Sequence, residues 1–156
     1  MPVRLPVQRL QHVADLPVPA YQTPGAAGLD LVADTFDFGD GSFGYSCVLQ
    51  PGHRILAMTG IHVAIPEGHV GLVCPRSGLA LRHGITVLNA PGIIDSDFRG
   101  EIGVLLVNLG TAPFHAESGM RVAQLVLTPV AIAEVEVVSE LPQTARGRGG
   151  FGSTGT

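Results

Sequence analysis

The run Gly92-Ile93-Ile94-Asp95-Ser96-Asp97-Phe98-Arg99-Gly100-Glu101 delivers carboxylates into a glycine-bounded turn through apolar residues. Asp95 follows two isoleucines, a setting that shields a carboxylate and suits it to hold and deprotonate a water molecule. Asp97 lies two residues on, and spacing alone leaves either as the base. Asp, Ser and Gly are also ordinary hairpin residues, so this run needs company before it reads as chemistry. Pro75-Arg76-Ser77-Gly78-Leu79-Ala80 offers a guanidinium and a hydroxyl at the start of a short helix, an arrangement that gathers an anion. A plain N-cap beside a solvated arginine fits the same residues. Ala27-Gly28-Leu29-Asp30-Leu31 sets an acid between apolar residues, and Gly119-Met120-Arg121-Val122-Ala123-Gln124-Leu125 offers Arg121 and Gln124 at the opening of a strand.

The richest stretch is Arg146-Gly147-Arg148-Gly149-Gly150-Phe151-Gly152-Ser153-Thr154-Gly155. Its glycines cannot sustain a helix or strand, but they let backbone N–H groups turn toward an anion. Its arginines suit phosphate oxygens, and Phe151 offers a flat face to a base. The stretch reads as a mobile arm that closes over a nucleotide polyphosphate. It is no Walker A loop, because it contains no lysine. The histidines at 12, 53, 62, 69, 83 and 115 show neither HExxH nor paired spacing with cysteines and are expected at the surface. Cys47 and Cys74 are too few for a disulfide framework and are expected as reduced, packed thiols.

The elements that must position these groups are strands. Glycine (21) and proline (12) punctuate short Val-, Ile- and Leu-rich runs at 3–10, 54–65, 69–74, 85–88, 100–109, 122–130 and 133–138. Many short strands with frequent turn signals predict an all-β sandwich or barrel. One short helix is predicted over Ser77–His83, with Ser77 as N-cap and Gly84 just past its end. Phe36–Tyr45 reads as a loop or short hairpin whose Asp37 and Asp40 do not have calcium-loop spacing. The 156 residues suit one domain, expected over 1–142, followed by the arm over 143–156. Charged residues make up 14% against about 25% in ordinary soluble proteins, which predicts an oligomer with large subunit contacts. A net charge of −4 argues against general nucleic-acid binding. No apolar run reaches membrane-spanning length and no signal-peptide layout is visible, so a cytoplasmic location is expected.

Taken together, AGLDL (27–31), PRSGLA (75–80), GIIDSDFRGE (92–101), GMRVAQL (119–125) and RGRGGFGSTG (146–155) resemble the homotrimeric dUTPase family, in the family's order and across most of the chain. The resemblance implies a jelly-roll-like β fold. It implies three chains around a threefold axis, with active sites built from more than one subunit. The implied reaction is dUTP + H₂O → dUMP + pyrophosphate, which would supply dUMP for thymidylate synthesis and keep uracil out of DNA. By resemblance Asp95, not Asp97, is the base that orients the attacking water. Mg²⁺ is expected on the triphosphate, held mainly through phosphates and water. Arg76, Ser77, Gly78 and Gln124 are expected on the phosphates. Asn89, with backbone groups of the Asn89–Asp95 hairpin (Ile93 and Ile94 among them) and of Gly103, would read uracil. Phe98 would lie under the deoxyribose. In the arm, Phe151 would stack on uracil, and Arg146, Arg148, Gly152, Ser153 and Thr154 would cover the phosphates. Asp30 would support the site from behind, orienting water or an arginine.

Three residues depart from the usual family pattern: Phe98 stands where tyrosine is commoner, Met120 where an acid is usual, and Gly103 where bulkier residues are frequent. dCTP deaminases share the fold and carry a glutamate base in the strand after the aspartate block. Here Gly100-Glu101-Ile102-Gly103-Val104-Leu105 puts leucine at that place, and leucine cannot move a proton. A trimer that binds dUTP without turning it over is the other alternative.

Overall fold

The computed structural model describes residues 2–13 and 15–150. β-Branched and aliphatic residues alternate along the long strand β6 (Arg54–Val63), so Ile55, Ala57, Ile61 and Val63 face inward. β6 and its antiparallel neighbour β10 (Glu101–Asn108) form the centre of a six-stranded sheet. β3 (Thr35–Asp37) and β4 (Phe43–Gly44) extend one side and β8 (Ile85–Val87) the other, while β1 (Val7–Arg9) pairs with the far end of β6. A four-stranded sheet runs β2 (Leu29–Val32), β12 (Arg121–Pro129), β7 (His69–Pro75) and β9 (Gly92–Ile94). β5 (Ser46–Leu49) and β11 (Phe114–Glu117) form a two-stranded sheet. All three sheets feed one core, in which Phe36, Leu31, Ile102, Leu106 and Leu125 are fully enclosed. The fold is all-β and jelly-roll-like, in open sheets, as expected.

Two buried polar side chains brace the fold, Thr59 within the six-stranded sheet and Asn108 between sheets. Thr59 donates its hydroxyl to the Ile102 carbonyl at 2.7 Å. Asn108 donates to the carbonyls of Leu49 and Ala112 and accepts from the Gly110 N–H, so every polar atom of this enclosed amide has a partner.

Helix α1 (Ser77–His83) lies where predicted, but its N-cap is Arg76, not Ser77. Arg76 keeps the extended backbone of the strand before it (φ −93°, ψ 124°), which makes Ser77 the first helical residue. Gly84 ends the helix at φ +69°, and its N–H reaches the carbonyls of Leu79 and Ala80. The strand expected over 3–10 shrinks to Val7–Arg9, because Pro2 and Pro6 bring no N–H to a ladder. The run 133–138 forms no strand: residues 131–150 are exposed throughout, and Val135 and Val137 are 87% and 95% exposed. The Phe36–Tyr45 excursion is a hairpin whose tip is held by Asp37 accepting from the Gly39 N–H and Asp40 from the Ser42 N–H. The Ser42 hydroxyl, together with that N–H, holds the Asp40 carboxyl below the usual range.

Candidate active site

At the end of β7 the chain passes from Pro75 through Arg76 into α1, beside the openings of β2 and β12. Register puts Asp30 opposite Gln124, and Pro75 opposite Ala123. Asp30 is largely buried and takes two guanidinium partners: Arg121 Nη1 at 3.0 Å and Arg76 Nε at 3.5 Å. Arg76 also donates to the Arg121 carbonyl, and Arg121 to Gln22 Oε1. Gln124 donates its amide to the Pro75 carbonyl at 2.9 Å, leaving its oxygen beside Gly28. A Cβ on Gly28 would stand 2.5 Å from that oxygen, which is why the position takes glycine. One carboxylate thus aligns two arginines whose positive charge exceeds its own by one, next to the exposed Ser77 and half-buried Gly78. Such a cluster grips an anion. Of the water or arginine that Asp30 was expected to orient, the structure pairs it with two arginines. Arg121, named in the sequence but given no task, proves to be part of the cluster. Its only signal was its place three residues before Gln124, and the partnership with Asp30 depends on cross-strand register.

A second group gathers around β9. Asn89 sits on the turn after β8, with its amide about where a Cβ on Gly92 would touch it (3.4 Å). The Leu88 N–H donates to the Leu105 carbonyl, which ties this turn to β10. The Ala90–Pro91 peptide is cis. Ile94 packs on the core, whereas Ile93 is 54% exposed on the other face. Asp95 follows directly. It is exposed, so the shielding expected from the preceding isoleucines is absent within one chain: Ile94 turns inward and leaves the carboxylate beyond the strand end. The Phe98 ring folds back over Gly100, where a Cβ would strike it. At Gly103 a Cβ would lie 2.8 Å from Leu56 Cδ1, so a side chain there would require Leu56 to shift.

These two groups do not meet within one chain. β9 runs antiparallel to β7 with Ile94 opposite Gly71, so Asp95 is level with Val70. Arg76 lies six residues further along, roughly 20 Å at the rise of a strand. The described part of the arm, residues 143–150, contributes neither to one group nor to the other. Arg146 donates to the Gly149 carbonyl within a local turn, and Arg148 is exposed. Phe151, Gly152, Ser153 and Thr154 lie outside the described residues. Among the described residues, no cluster of three or more His, Cys, Asp or Glu side chains is placed to hold a metal ion. Cys47 and Cys74 are free thiols, and burial pushes the Cys47 thiol up. His12 departs from the surface reading in part: its Nε2 reaches the buried Asp34 carboxylate at 2.9 Å. No helix among the described residues is long and apolar enough to cross a membrane.

The all-β fold with a carboxylate-aligned arginine pair and a separate aspartate turn defines an anion-binding β protein, and comparison with known proteins narrows the class. The dUTPase family model matches residues 14–155. The deoxyuridine 5'-triphosphate nucleotidohydrolase of Methylocella silvestris is 53% identical over 154 residues, covering 99% of this chain and 92% of the relative. That of an Anaeromyxobacter species (strain Fw109-5) is 51% identical over 156 residues, covering 99% of both. Among solved structures, a variant of the dUTPase of Staphylococcus bacteriophage 80alpha with dUpNHpp superposes with a TM-score of 0.83 at 25% identity, over 98% of this chain and 99% of that one. The chain belongs to the dUTPase family.

Proposed function

We propose that the protein hydrolyses dUTP to dUMP and pyrophosphate at sites shared between the chains of a homotrimer. The observation that carries the shared site is the separation of roughly 20 Å, along β7, between the Asp95 turn and the Arg76–Arg121–Gln124 cluster. A base that far from the phosphate grip acts only if a second chain brings its own Asp95 turn to the cluster. The exposed apolar residues Ile132, Val135, Val137 and Leu141 support the assembly, since nothing in their own chain covers them.

In that site Arg76, Ser77, Gly78 and Gln124 hold the triphosphate. Asp95 accepts a proton from water as the water oxygen bonds to the α-phosphorus, and the bond to the oxygen bridging the α- and β-phosphorus breaks. The Ser77 hydroxyl, at the first helical position with an exposed side chain, stabilises the charge on that leaving oxygen. The backbone of Asn89–Asp95 and of Gly103 reads the uracil edge, and Asn89 adds its amide. Phe98 lies under the deoxyribose and excludes a 2′-hydroxyl. The arm closes with Phe151 on the base and Arg146, Arg148, Gly152, Ser153 and Thr154 over the phosphates. Mg²⁺ fits a site with so few protein donors, because it keeps several waters and binds through substrate phosphates. When bound, it neutralises phosphate charge. A cytoplasmic location suits this activity.

The test is pyrophosphate release from dUTP, dTTP, dCTP and UTP with Mg²⁺. Efficient cleavage of dUTP alone is expected, and Asp95→Asn should retain dUTP binding while losing turnover by at least about a hundredfold. Equal cleavage of dTTP, or an unaffected variant, sinks the assignment. The shared site has its own test. Asp95→Asn and Arg76→Ala chains, each inactive alone, are unfolded together and refolded at equal amounts. One site in about four then draws both intact halves from different chains and should be active. No recovery of activity would place both halves in one chain.

A further inference from the structure

The Asp95–Arg99 turn must hold Asp95 and Phe98 still, yet it has little structure of its own. Its backbone contributes a single long bond, Phe98 N–H to the Asp95 carbonyl at 3.2 Å. Asp95, Asp97, Phe98 and Arg99 are all exposed, so packing does not fix it. Side chains supply what is missing. Arg99 Nη1 donates to the carbonyls of Ser96 and Phe98, both at 2.7 Å, and closes the turn on itself. That sets the shape of the turn but not its place in the molecule.

Its place is set from β6. The ladder between β6 and β10 is irregular between Glu101 and Gly103, immediately after the turn. Three side-chain bonds span this stretch: the Thr59 hydroxyl donates to the Ile102 carbonyl, and two more lie nearer the turn. Glu101 Oε1 accepts the Gly60 N–H at 2.7 Å. His62 Nδ1 meets the Arg99 carbonyl at 2.8 Å. A carbonyl only accepts, so Nδ1 must carry the proton. The His62 backbone is itself clamped, opposite Gln8 of β1 on one side and Glu101 of β10 on the other. The imidazole thus projects from a rigid strand onto the last carbonyl of the turn.

We propose that His62 is a positioning residue: its Nδ1–H, donated to the Arg99 carbonyl, fixes the Asp95–Arg99 turn against the sheet and so sets where Asp95 holds its water. This rests on the dUTP-hydrolysis reading for its consequence, though not for its geometry. The phosphate grip lies on other strands, so loss of the tether should lower kcat more than it raises KM.

Asparagine carries an N–H donor at the place of Nδ1, and leucine has the same shape without it. His62→Leu should lower kcat about tenfold, with KM changed less than about threefold and an unchanged melting temperature. His62→Asn should recover kcat to within about twofold of the unaltered protein. Equal kcat in His62→Leu and the unaltered protein, or equal loss in the two variants, would overturn the proposal. Nitrogen-15 NMR of histidine-labelled protein, with the His62 signal identified by its loss in His62→Asn, tests the geometry without turnover. The neutral ring should carry its proton on Nδ1; a proton on Nε2 would overturn the proposal. If the unaltered protein does not cleave dUTP, the functional reading fails and the NMR result still decides the tether.

Discussion

Asp30 shows how much one carboxylate can organise. It lies between Arg76 and Arg121, which without it would face each other as like charges. Asp30→Ala is expected to cost about 2 kcal/mol of stability and to raise KM for dUTP more than it lowers kcat. Urea denaturation and steady-state kinetics check the two parts. Gly28 acts on the same cluster by having no side chain. In Gly28→Ala the new methyl must displace the Gln124 carboxamide from the Pro75 carbonyl. The expected result is a KM several times higher with a melting temperature within a few degrees, read by kinetics and calorimetry. Asp30, Arg76, Gln124 and Asp95 stood out in the sequence as polar residues beside apolar runs, and the five ordered blocks gave them their expected roles. The bond from Arg121 to Asp30 was not legible there, because it depends on cross-strand register between residues 91 positions apart.

At the scale of elements, α1 is held by a backbone interlock. Gly84 takes φ +69°, and a Cβ on it would run into the backbone of Gly110; a Cβ on Gly110 would in turn strike the His83 carbonyl. The left-handed conformation alone makes Gly84→Ala cost about 1–2 kcal/mol, and the collision adds to it. A total above about 2 kcal/mol is expected in urea titration, with weaker phosphate binding because Arg76 and Ser77 ride on the same helix. The long strands β6, β7, β10 and β12 were legible because their apolar runs are long. β2, β5, β9 and β11 are three or four residues each and were not read as strands. In β5 and β11 only alternate residues are buried, which leaves two inward side chains apiece and too short a pattern to stand out. Arg76 took the N-cap from Ser77 because it keeps an extended backbone after β7 ends at Pro75. The run 133–138 has the composition of a strand, yet a strand also needs a neighbour, and composition does not supply one.

For the whole molecule, the exposed 131–150 segment separates two kinds of truncation. Ending the chain after Ala145 should leave the assembly intact and lower kcat by roughly a hundredfold, since only closure is lost. Ending it after Val130 also removes Ile132, Val135, Val137 and Leu141, and should shift the assembly toward single chains. Light scattering paired with pyrophosphate release checks both. An assembly lost on the shorter truncation would give the arm a structural task instead. The low charge content pointed to an oligomer, which the two truncations test. The resemblance of the five blocks implied a site divided between chains; what it did not give is the antiparallel run of β9 along β7, which sets the Asp95 turn far from the Arg76 cluster.

That antiparallel run has a consequence for the cell in which such chains are made. With sites shared between chains as proposed, a solitary chain would present the grip of Arg76, Arg121 and Gln124 with its own Asp95 at the far end of β7, so any triphosphate that settled there would leave unchanged. Hydrolysis would start only when a neighbour arrived, bringing Asp95 together with the Asn89–Asp95 hairpin and Phe98, the parts proposed to inspect the base and the sugar. The power to cut and the ability to choose would then be delivered by one segment, in one step, and no intermediate of assembly would have the first without the second.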